Sequence, residues 1–341
     1  PIKDKLGVPR TTDEMEWAVK TGYIIPAFRD GILTVDKLLD HADVILEYYT
    51  PSVVAIDFFN FIRLVLGEEP ENSNPPAHYF LIDCLFQQDE VKPYFQVRNI
   101  DYDLNKGRAV VLATREFAKS VLLGSMLPLY IADRGSIPGF GNINYALYIS
   151  DSMRGNVKTT MTTIGSVFNE SLYLRNQFED QTTNQDEVSF TRIPRTKREI
   201  ALHNEYVIKQ GNKLNEVPGR MKRTFSMKGL GAEMGGRGSR DSLDRPNIAI
   251  FDDLISSEQN ASSDIVLSNI ESTIEKDVLP AMHGTNSIAL LIGTPFNKND
   301  PVYKRIESGM WLPVVFPKAE KISIDLKKKD FRGVWPDRHT Y

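Results

Sequence analysis

The spacing of apolar residues changes near residue 108. Before it, apolar positions recur at helical intervals. The helices predicted there span about 11–23, 35–49, 57–66 and 77–88. Thr11 and Glu14 form a capping box at the start of the first helix. The stretch 67–76 combines acids with helix-breaking residues and is the best linker candidate. These features predict an N-terminal helical extension over residues 1–70.

Beyond residue 108, short apolar runs alternate with segments of helical spacing. The runs are almost continuously apolar, as in the central strands of a parallel sheet that is covered on both faces. They span 108–113, 145–150, 248–252 and 287–292. Helices are predicted at about 119–131, 153–174, 261–278 and 301–308. The polar segment 177–238 is expected to form a hairpin or lid. This alternation predicts a three-layer α/β domain with a mainly parallel central sheet.

Composition narrows the classes of function. The net charge is −4, so binding to nucleic acid would need local basic clusters or an assembly that concentrates them. Cys84 is the single cysteine, which excludes an internal disulfide and a cysteine-based zinc site within one chain. Its apolar surroundings in sequence predict a buried structural thiol. No apolar run of about 18 residues suggests a membrane span, and the N-terminal sequence lacks the pattern of a signal peptide.

The most informative segment is 110–123, where an apolar strand leads through a short loop into a helix that opens on Lys119 and Ser120. This is the layout of a phosphate-binding loop. Lys119 would contact the β- and γ-phosphates of ATP, and the Ser120 hydroxyl would ligate Mg²⁺. The candidate ATP-binding residues of the loop are Ala113, Thr114, Arg115, Glu116, Phe117, Ala118, Lys119 and Ser120.

Two alanines weaken this motif when it is taken alone. Ala113 and Ala118 stand where the usual pattern has glycine, and an alanine costs about 1 kcal/mol wherever the loop needs a positive φ. The alternative is an ordinary strand, turn and helix with a Lys-Ser pair on the surface. The loop by itself does not decide between the two.

A second element favours nucleotide binding. The apolar strand 248–252 ends in Asp252 and Asp253, as a Walker B strand does. Asp252 would hold Mg²⁺ and Asp253 would act on the attacking water. The alternative is that these acids cap the next helix. Thr294, at the end of the strand 287–292, is a candidate sensor of the γ-phosphate, although an ordinary strand-to-turn transition would look the same.

In this order, the elements resemble the large terminase subunits of tailed bacteriophages. The loop pattern of that family is matched by Ala113, Arg115, Ala118, Lys119 and Ser120. The resemblance extends to the Gly- and Arg-rich stretch 229–240, to Arg245-Pro246, and to Gly293-Thr294-Pro295 as the coupling motif. It implies a RecA-like P-loop ATPase domain over residues 71–322.

The same resemblance implies further residue roles. Arg115 would contact the γ-phosphate in the primed site. Arg237 or Arg240 would reach into the site of a neighbouring subunit. Gln96 would read adenine, with Tyr94 or Phe95 stacking on the base.

The function implied is an ATP-hydrolysing, Mg²⁺-dependent motor that moves double-stranded DNA through a portal into a procapsid. The expected partners are DNA, the portal protein, the small terminase subunit and further copies of the chain in a ring. The expected location is the host cytoplasm, transiently at the portal vertex and not in the mature virion. The nuclease domain of the family is expected to be absent, with 323–341 as the start of a linker.

Other interpretations remain open. A helicase-like or other nucleic-acid-dependent P-loop ATPase would share the same motifs. A P-loop-like binding protein without catalysis would explain the two alanines. Two basic clusters of the polar middle could track DNA phosphates, although a solvated face would look the same. They comprise Arg192, Arg195, Lys197 and Arg198, and Arg220, Lys222, Arg223 and Lys228.

Overall fold

Helices and strands alternate along the chain in the computed structural model. The residues that it describes are 49–67, 74–97, 100–103, 107–113, 117–137, 139–193, 225–232, 245–255, 257–284, 287–294, 299–316, 319–322 and 331–333. The α-helices are α1 Val53–Leu66, α2 Pro76–Leu85, α3 Lys92–Val97, α4 Leu127–Arg134, α5 Lys158–Glu170, α6 Leu172–Gln177, α7 Glu258–Ala261, α8 Asp264–Ser272 and α9 Pro301–Glu307. Wider π-helical turns form Ser120–Met126 before α4, Met153–Val157 before α5 and Thr273–Val278 after α8. Single 3₁₀ turns form Asp89–Val91 and Leu279–Ala281.

The strands include the four predicted apolar runs and further, more polar segments. They are β1 Arg108–Ala113, β2 Ser136–Ile137, β3 Gly141–Asn142, β4 Tyr145–Ser150, β5 Phe178–Thr183, β6 Glu187–Arg192, β7 Phe225–Gly231, β8 Ile248–Asp252, β9 Ile288–Gly293, β10 Leu312–Phe316, β11 Ala319–Ile322 and β12 Phe331–Gly333. Every residue of β4, β8 and β9 is buried, as expected of strands that are covered on both faces.

The chain forms two compact units. The first comprises Pro1–Asn60, Pro70–Phe117 and Arg305–Tyr341, and the second comprises Phe61–Glu69 and Ala118–Lys304. In the first unit, β1 and β10 are parallel neighbours, with Ala113 opposite Phe316. The ring of Phe316 lies 6.2 Å from that of Phe80 on α2, so an aromatic core holds helix and strand together.

The second unit contains the central sheet. Its strand order is β9-β8-β4-β7-β6-β5. The first four of these strands run parallel, and β6 and β5 continue the sheet antiparallel. Asp252 is opposite Ser150 of β4 on one side and Ile292 of β9 on the other. The carboxyl ends of these three strands therefore share one edge of the sheet.

The predicted fold class is confirmed, because the protein has a mixed α/β fold with helices and a mainly parallel central sheet. Strands β1, β4 and β8 have the predicted bounds, and β9 lies one residue later than predicted. Cys84 is buried as predicted. The helix predicted over 153–174 is interrupted at Ser171, whose hydroxyl accepts from the amide of Leu174 and so caps α6.

The segment 177–238 contains more sheet than the hairpin or lid expected there. Strands β5 and β6 form the hairpin, but β7 pairs with β4 inside the central sheet. The predicted helices at 11–23 and 35–49 lie, apart from Tyr49, outside the described residues. The domain boundaries near 70 and 322 stay predictions. Among the described helices, none is long and apolar enough to cross a membrane.

Candidate active site

Lys119 and Thr294 meet although 175 positions separate them in sequence. The Lys119 ammonium group donates to the Thr294 hydroxyl at 2.9 Å. Lys119 directly precedes the π-helical turn Ser120–Met126, and Thr294 directly follows β9. Lys119 is only 4% exposed, so its charge is held inside the protein next to polar groups. The predicted phosphate-binding lysine and the predicted sensor are therefore in contact.

Ser120 and Asp252 form a second contact between predicted site residues. The Ser120 hydroxyl donates to Oδ1 of Asp252 at 3.2 Å. Asp252 is the last residue of β8 and is 3% exposed. A hydroxyl and a carboxylate in contact are hard oxygen donors of the kind that Mg²⁺ prefers. The pair predicted to hold the metal is therefore brought together by the fold.

The second carboxylate oxygen of Asp252 is also bonded. The Tyr148 hydroxyl donates to Oδ2 of Asp252 at 2.8 Å, and the Ser150 hydroxyl donates to the Asp252 carbonyl at 2.7 Å. Both donors come from β4, the neighbour of β8. Sequence reasoning missed Tyr148, because a tyrosine inside an apolar strand is typical of a core residue. Its hydroxyl, in an otherwise apolar run, is the one signal that pointed to a polar partner.

Gly124 lets the helix approach this carboxylate. A Cβ at Gly124 would lie 3.4 Å from Cε2 of Tyr148 and 3.6 Å from Oδ2 of Asp252. The residue belongs to the turn that begins at Ser120. A larger side chain would enter the space between the turn and the Tyr148–Asp252 contact, so glycine fits this position.

Two site residues hold an unusual backbone conformation. Among the described residues, positive φ angles outside glycine occur at Gln87, Ala118 and Asp253, with values of +57° at Ala118 and +42° at Asp253. Ala118 directly precedes Lys119, at the position where the usual loop has glycine. The amide of Asp253 donates to the Ile292 carbonyl at 3.0 Å, which holds the residue just beyond the end of β8. Backbone strain that a fold retains next to buried polar groups is typical of functional sites.

Burial and charge change the acidity of Asp252. Loss of solvation, together with the neighbouring charge of Asp253, raises the pKa of Asp252 to about 6. The hydrogen bonds from Tyr148 and Ser120 and the charge of Lys119 act in the opposite direction. The charged form of Asp252 is therefore destabilised by burial, and a bound cation would stabilise it by supplying positive charge.

A narrow cleft adjoins these residues. It is lined by Asp253–Ile255, by Leu291–Thr294 and by Asp300–Val302. Asp300 is buried, and one of its carboxylate oxygens accepts from the amide of Val302 at 3.0 Å, at the start of α9. Asp300 was not predicted from the sequence, because a helix-capping aspartate carries no further signal.

The part of the candidate loop that precedes Ala118 belongs to the first unit. Phe117 is buried, its ring stacks on Phe316 at 4.7 Å, and its carbonyl lies 3.2 Å from Nε2 of His78. Since a carbonyl can only accept, this contact places a proton on Nε2. Ala113 is the last residue of β1. His78, which sequence reasoning missed, thus fixes the backbone next to the candidate loop.

Several predicted residues lie wholly or partly outside the described part of the chain. Thr114, Arg115, Glu116, Arg237 and Arg240 are among them, as are all members of the two basic clusters except Arg192 and Lys228. Gln96 belongs to α3, but its side chain is outside the described part.

Of the two aromatic residues predicted to stack on a base, only one is accessible. Phe95 is fully buried, 5.2 Å from the ring of Tyr102 and 6.4 Å from that of Phe80. Tyr94 is half-buried.

The residues present fit Mg²⁺ and a polyphosphate. Within the described residues there is no group of three or more His, Cys, Asp or Glu arranged for a metal. Mg²⁺ seldom uses such a cage, because it keeps several waters and is bound by one or two carboxylates together with phosphate oxygens. Ser120 and Asp252 would supply the protein oxygens, and Lys119 would supply a cation for the phosphates.

Comparisons with known proteins give a structural likeness but no match in sequence. No family model matches the chain, and no curated protein matches it. Among solved structures, the chain is similar to the large terminase of bacteriophage HK97. The sequence identity is 13% and the TM-score is 0.43. The likeness covers 81% of this chain and 46% of that chain, so this chain spans less than half of that terminase's length.

Proposed function

We propose that this protein is the ATP-hydrolysing motor of a viral genome-packaging terminase. The observation that carries the proposal is the meeting of Lys119 with Thr294 and of Ser120 with Asp252. Three distant segments of sequence were predicted to form one nucleotide site, and their key side chains lie in contact. A surface Lys-Ser pair or a pair of helix-capping acids would not require these contacts.

Each residue has a chemical role in this proposal. The Lys119 ammonium group binds the β- and γ-phosphate oxygens, and Ser120 and Asp252 hold Mg²⁺. When bound, Mg²⁺ supplies positive charge that stabilises the phosphate oxygens of the substrate. Asp253 accepts a hydrogen bond from the attacking water and orients it. Arg115, by the family resemblance, stabilises charge on the γ-phosphate.

Thr294 would link the site to movement. Its hydroxyl accepts a hydrogen bond from Lys119. Phosphate oxygens compete for the same ammonium protons, so binding and release of the γ-phosphate change the contact at the end of β9. A residue in this position therefore couples the state of the bound nucleotide to β9, the strand that it follows.

The rest of the proposal follows the family resemblance. The substrate moved is double-stranded DNA, and the chain acts as a homo-oligomeric ring on the portal together with the small terminase subunit. Arg237 or Arg240 reaches into the neighbouring subunit, and Gln96 reads adenine. The protein works in the host cytoplasm at the procapsid portal.

The test is ATP hydrolysis with Mg²⁺, measured without DNA, with double-stranded DNA and with single-stranded DNA. We expect hydrolysis that double-stranded DNA stimulates. Stimulation by single strands alone would favour a helicase-like or other nucleic-acid-dependent ATPase. Binding of Mg·ATP without turnover would favour a non-catalytic binding protein.

A further inference from the structure

A chain of hydroxyl groups leads from helix α5 to the carboxylate of Asp252. The Thr160 hydroxyl donates to the Tyr148 hydroxyl at 3.0 Å, and the Tyr148 hydroxyl donates to Oδ2 of Asp252 at 2.8 Å. Tyr148 is 1% exposed, and Thr160 is half-buried on α5. The three side chains come from a helix and from two neighbouring strands of the sheet.

The order of donors gives this series of hydrogen bonds a direction, from Thr160 towards Asp252. A phenol has a single proton and can also accept. Because Thr160 donates to the Tyr148 oxygen, the Tyr148 proton is turned towards Asp252. Consecutive hydrogen bonds of this kind polarise and strengthen one another inside a protein. Thr160 therefore acts on Asp252 only through Tyr148.

The contacts of Asp252 divide between its two oxygens. Ser120 contacts Oδ1 and Tyr148 contacts Oδ2, so the carboxylate plane is fixed from both sides. A Cβ at Gly124 would lie 3.4 Å from the Tyr148 ring, so the turn that begins at Ser120 passes close to that ring. Oδ1, on the Ser120 side, is thereby directed to the place where the metal ligands meet.

We infer that Tyr148 is a positioning residue for Asp252, and that Thr160 orients Tyr148, so that together they set the affinity of the site for Mg²⁺. This inference rests on the proposed ATPase function. Hydrogen bonds to a metal-ligating carboxylate typically change metal affinity by about 10- to 100-fold. Neither residue touches the nucleotide in this account. Substituting either residue should therefore change the Mg²⁺ dependence of hydrolysis and leave the affinity for ATP itself unchanged.

The test compares Tyr148→Phe and Thr160→Val with the wild type and with Tyr173→Phe. Tyr173 is the matched control, because its hydroxyl donates at 3.0 Å to Oδ2 of another buried carboxylate, that of Asp133. Two readouts are used. Mn²⁺ affinity in the presence of ADP is measured by electron paramagnetic resonance, and steady-state hydrolysis gives kcat, KM for ATP and the half-saturating Mg²⁺ concentration.

For Tyr148→Phe, we expect Mn²⁺ affinity to fall and half-saturating Mg²⁺ to rise, each by about 10-fold. Thr160→Val changes both in the same direction but less, and Tyr173→Phe changes neither. Excess Mg²⁺ restores kcat of Tyr148→Phe, and KM for ATP at saturating Mg²⁺ is unchanged. A merely structural role would not give rescue by Mg²⁺.

Two failures can be told apart. If the wild type binds Mn²⁺ and hydrolyses ATP but Tyr148→Phe has the same metal dependence, the inference is wrong and the proposed function stands. If the wild type neither binds Mn²⁺ with ADP nor hydrolyses ATP, both are wrong. If Tyr148→Phe does not fold, an unchanged metal dependence in folded Thr160→Val overturns the inference.

Discussion

At Ala118 the backbone φ is +57°, a conformation that is about 1 kcal/mol less favourable for alanine than for glycine. The Leu122 amide donates to the Ala118 carbonyl at 2.9 Å, so this residue also begins the hydrogen bonding of the following helix. The chain therefore retains the loop conformation without the residue that adopts it most easily. The resulting strain lies next to Lys119.

Replacing Ala118 with glycine should relieve that strain. We expect Ala118→Gly to raise the free energy of unfolding by up to about 1 kcal/mol, measured by urea denaturation. The matched control is Ala132→Gly, in the interior of α4, where glycine should cost about 1 kcal/mol. A loss of stability in Ala118→Gly equal to that of the control would contradict the assigned backbone conformation.

The sequence predicts a role in the candidate site for some single residues but not for others. Lys119, Ser120, Asp252 and Thr294 stand in local patterns, a loop before a helix and the ends of apolar strands, and these patterns place them at one edge of a parallel sheet. Tyr148, His78 and Asp300 have no such pattern, because their roles depend on side chains that only the folded chain brings near.

At the scale of elements, the carboxylate of Asp252 at the end of β8 is contacted by a residue of β4 and by a residue of the π-helical turn that begins at Ser120. Burial raises its pKa from the ordinary 3.8 to about 6, so the charged form is less favourable in the folded protein than in the unfolded one. The contribution of the Asp252 carboxyl to the free energy of unfolding is therefore fully present below pH 3.8. This contribution is lost as the pH rises through about 6.

Asp252→Asn should consequently gain stability relative to the wild type as the pH rises, while losing metal affinity. Without divalent metal, we expect the stability of Asp252→Asn relative to the wild type to be higher at pH 8 than at pH 4, because only the wild-type carboxyl ionises between these values. Thermal unfolding with a chelator at both pH values measures this. The control is Asp264→Asn, an exposed acid, which should change stability by less than about 0.5 kcal/mol. A relative stability of the variant that does not increase from pH 4 to pH 8 would contradict the account.

Strand β7 and the turn before α5 are in close contact at Gly229. A Cβ there would lie 2.1 Å from Cγ1 of Val157, a fully buried side chain, and 3.1 Å from Cε of Met161. Glycine is therefore required by the distance between strand and helix, since its own φ lies outside the left-handed region.

We expect Gly229→Ala to lower the free energy of unfolding by about 1–3 kcal/mol through overpacking. Val157→Ala should partly restore stability in that background, which a double-mutant cycle would show as favourable coupling. Gly284→Ala is the control, because no atom of the described residues lies within 4 Å of its would-be Cβ. Additive losses in the cycle would show that the two positions are not in contact.

Elements were predictable where one pattern dominated. Strands β4 and β8 are apolar up to their last residue and were located to the residue. Strand β7 contains Lys228, Gly229 and Gly231, which weaken a strand signal, and β10 contains Pro313. Both are strands because neighbours pair with them, and this pairing is a tertiary effect that local propensity does not contain.

For the whole molecule, the net charge of −4 means that binding to DNA would need a local cluster of cations or several copies of the chain acting together. The site is independent of that question. Within one chain, Lys119 contacts Thr294 and Ser120 contacts Asp252, so nucleotide chemistry can be tested before any partner is added.

The most direct measurement is Mg²⁺-dependent ATP hydrolysis by the wild type, by Lys119→Ala and by Lys158→Ala. Lys158 is the control, an exposed lysine at the start of α5. We predict that the wild type and Lys158→Ala hydrolyse ATP at equal rates. Lys119→Ala should lose hydrolysis by at least about 100-fold while keeping its circular dichroism spectrum and cooperative unfolding. Turnover by folded Lys119→Ala at the wild-type rate would contradict the assignment of this site.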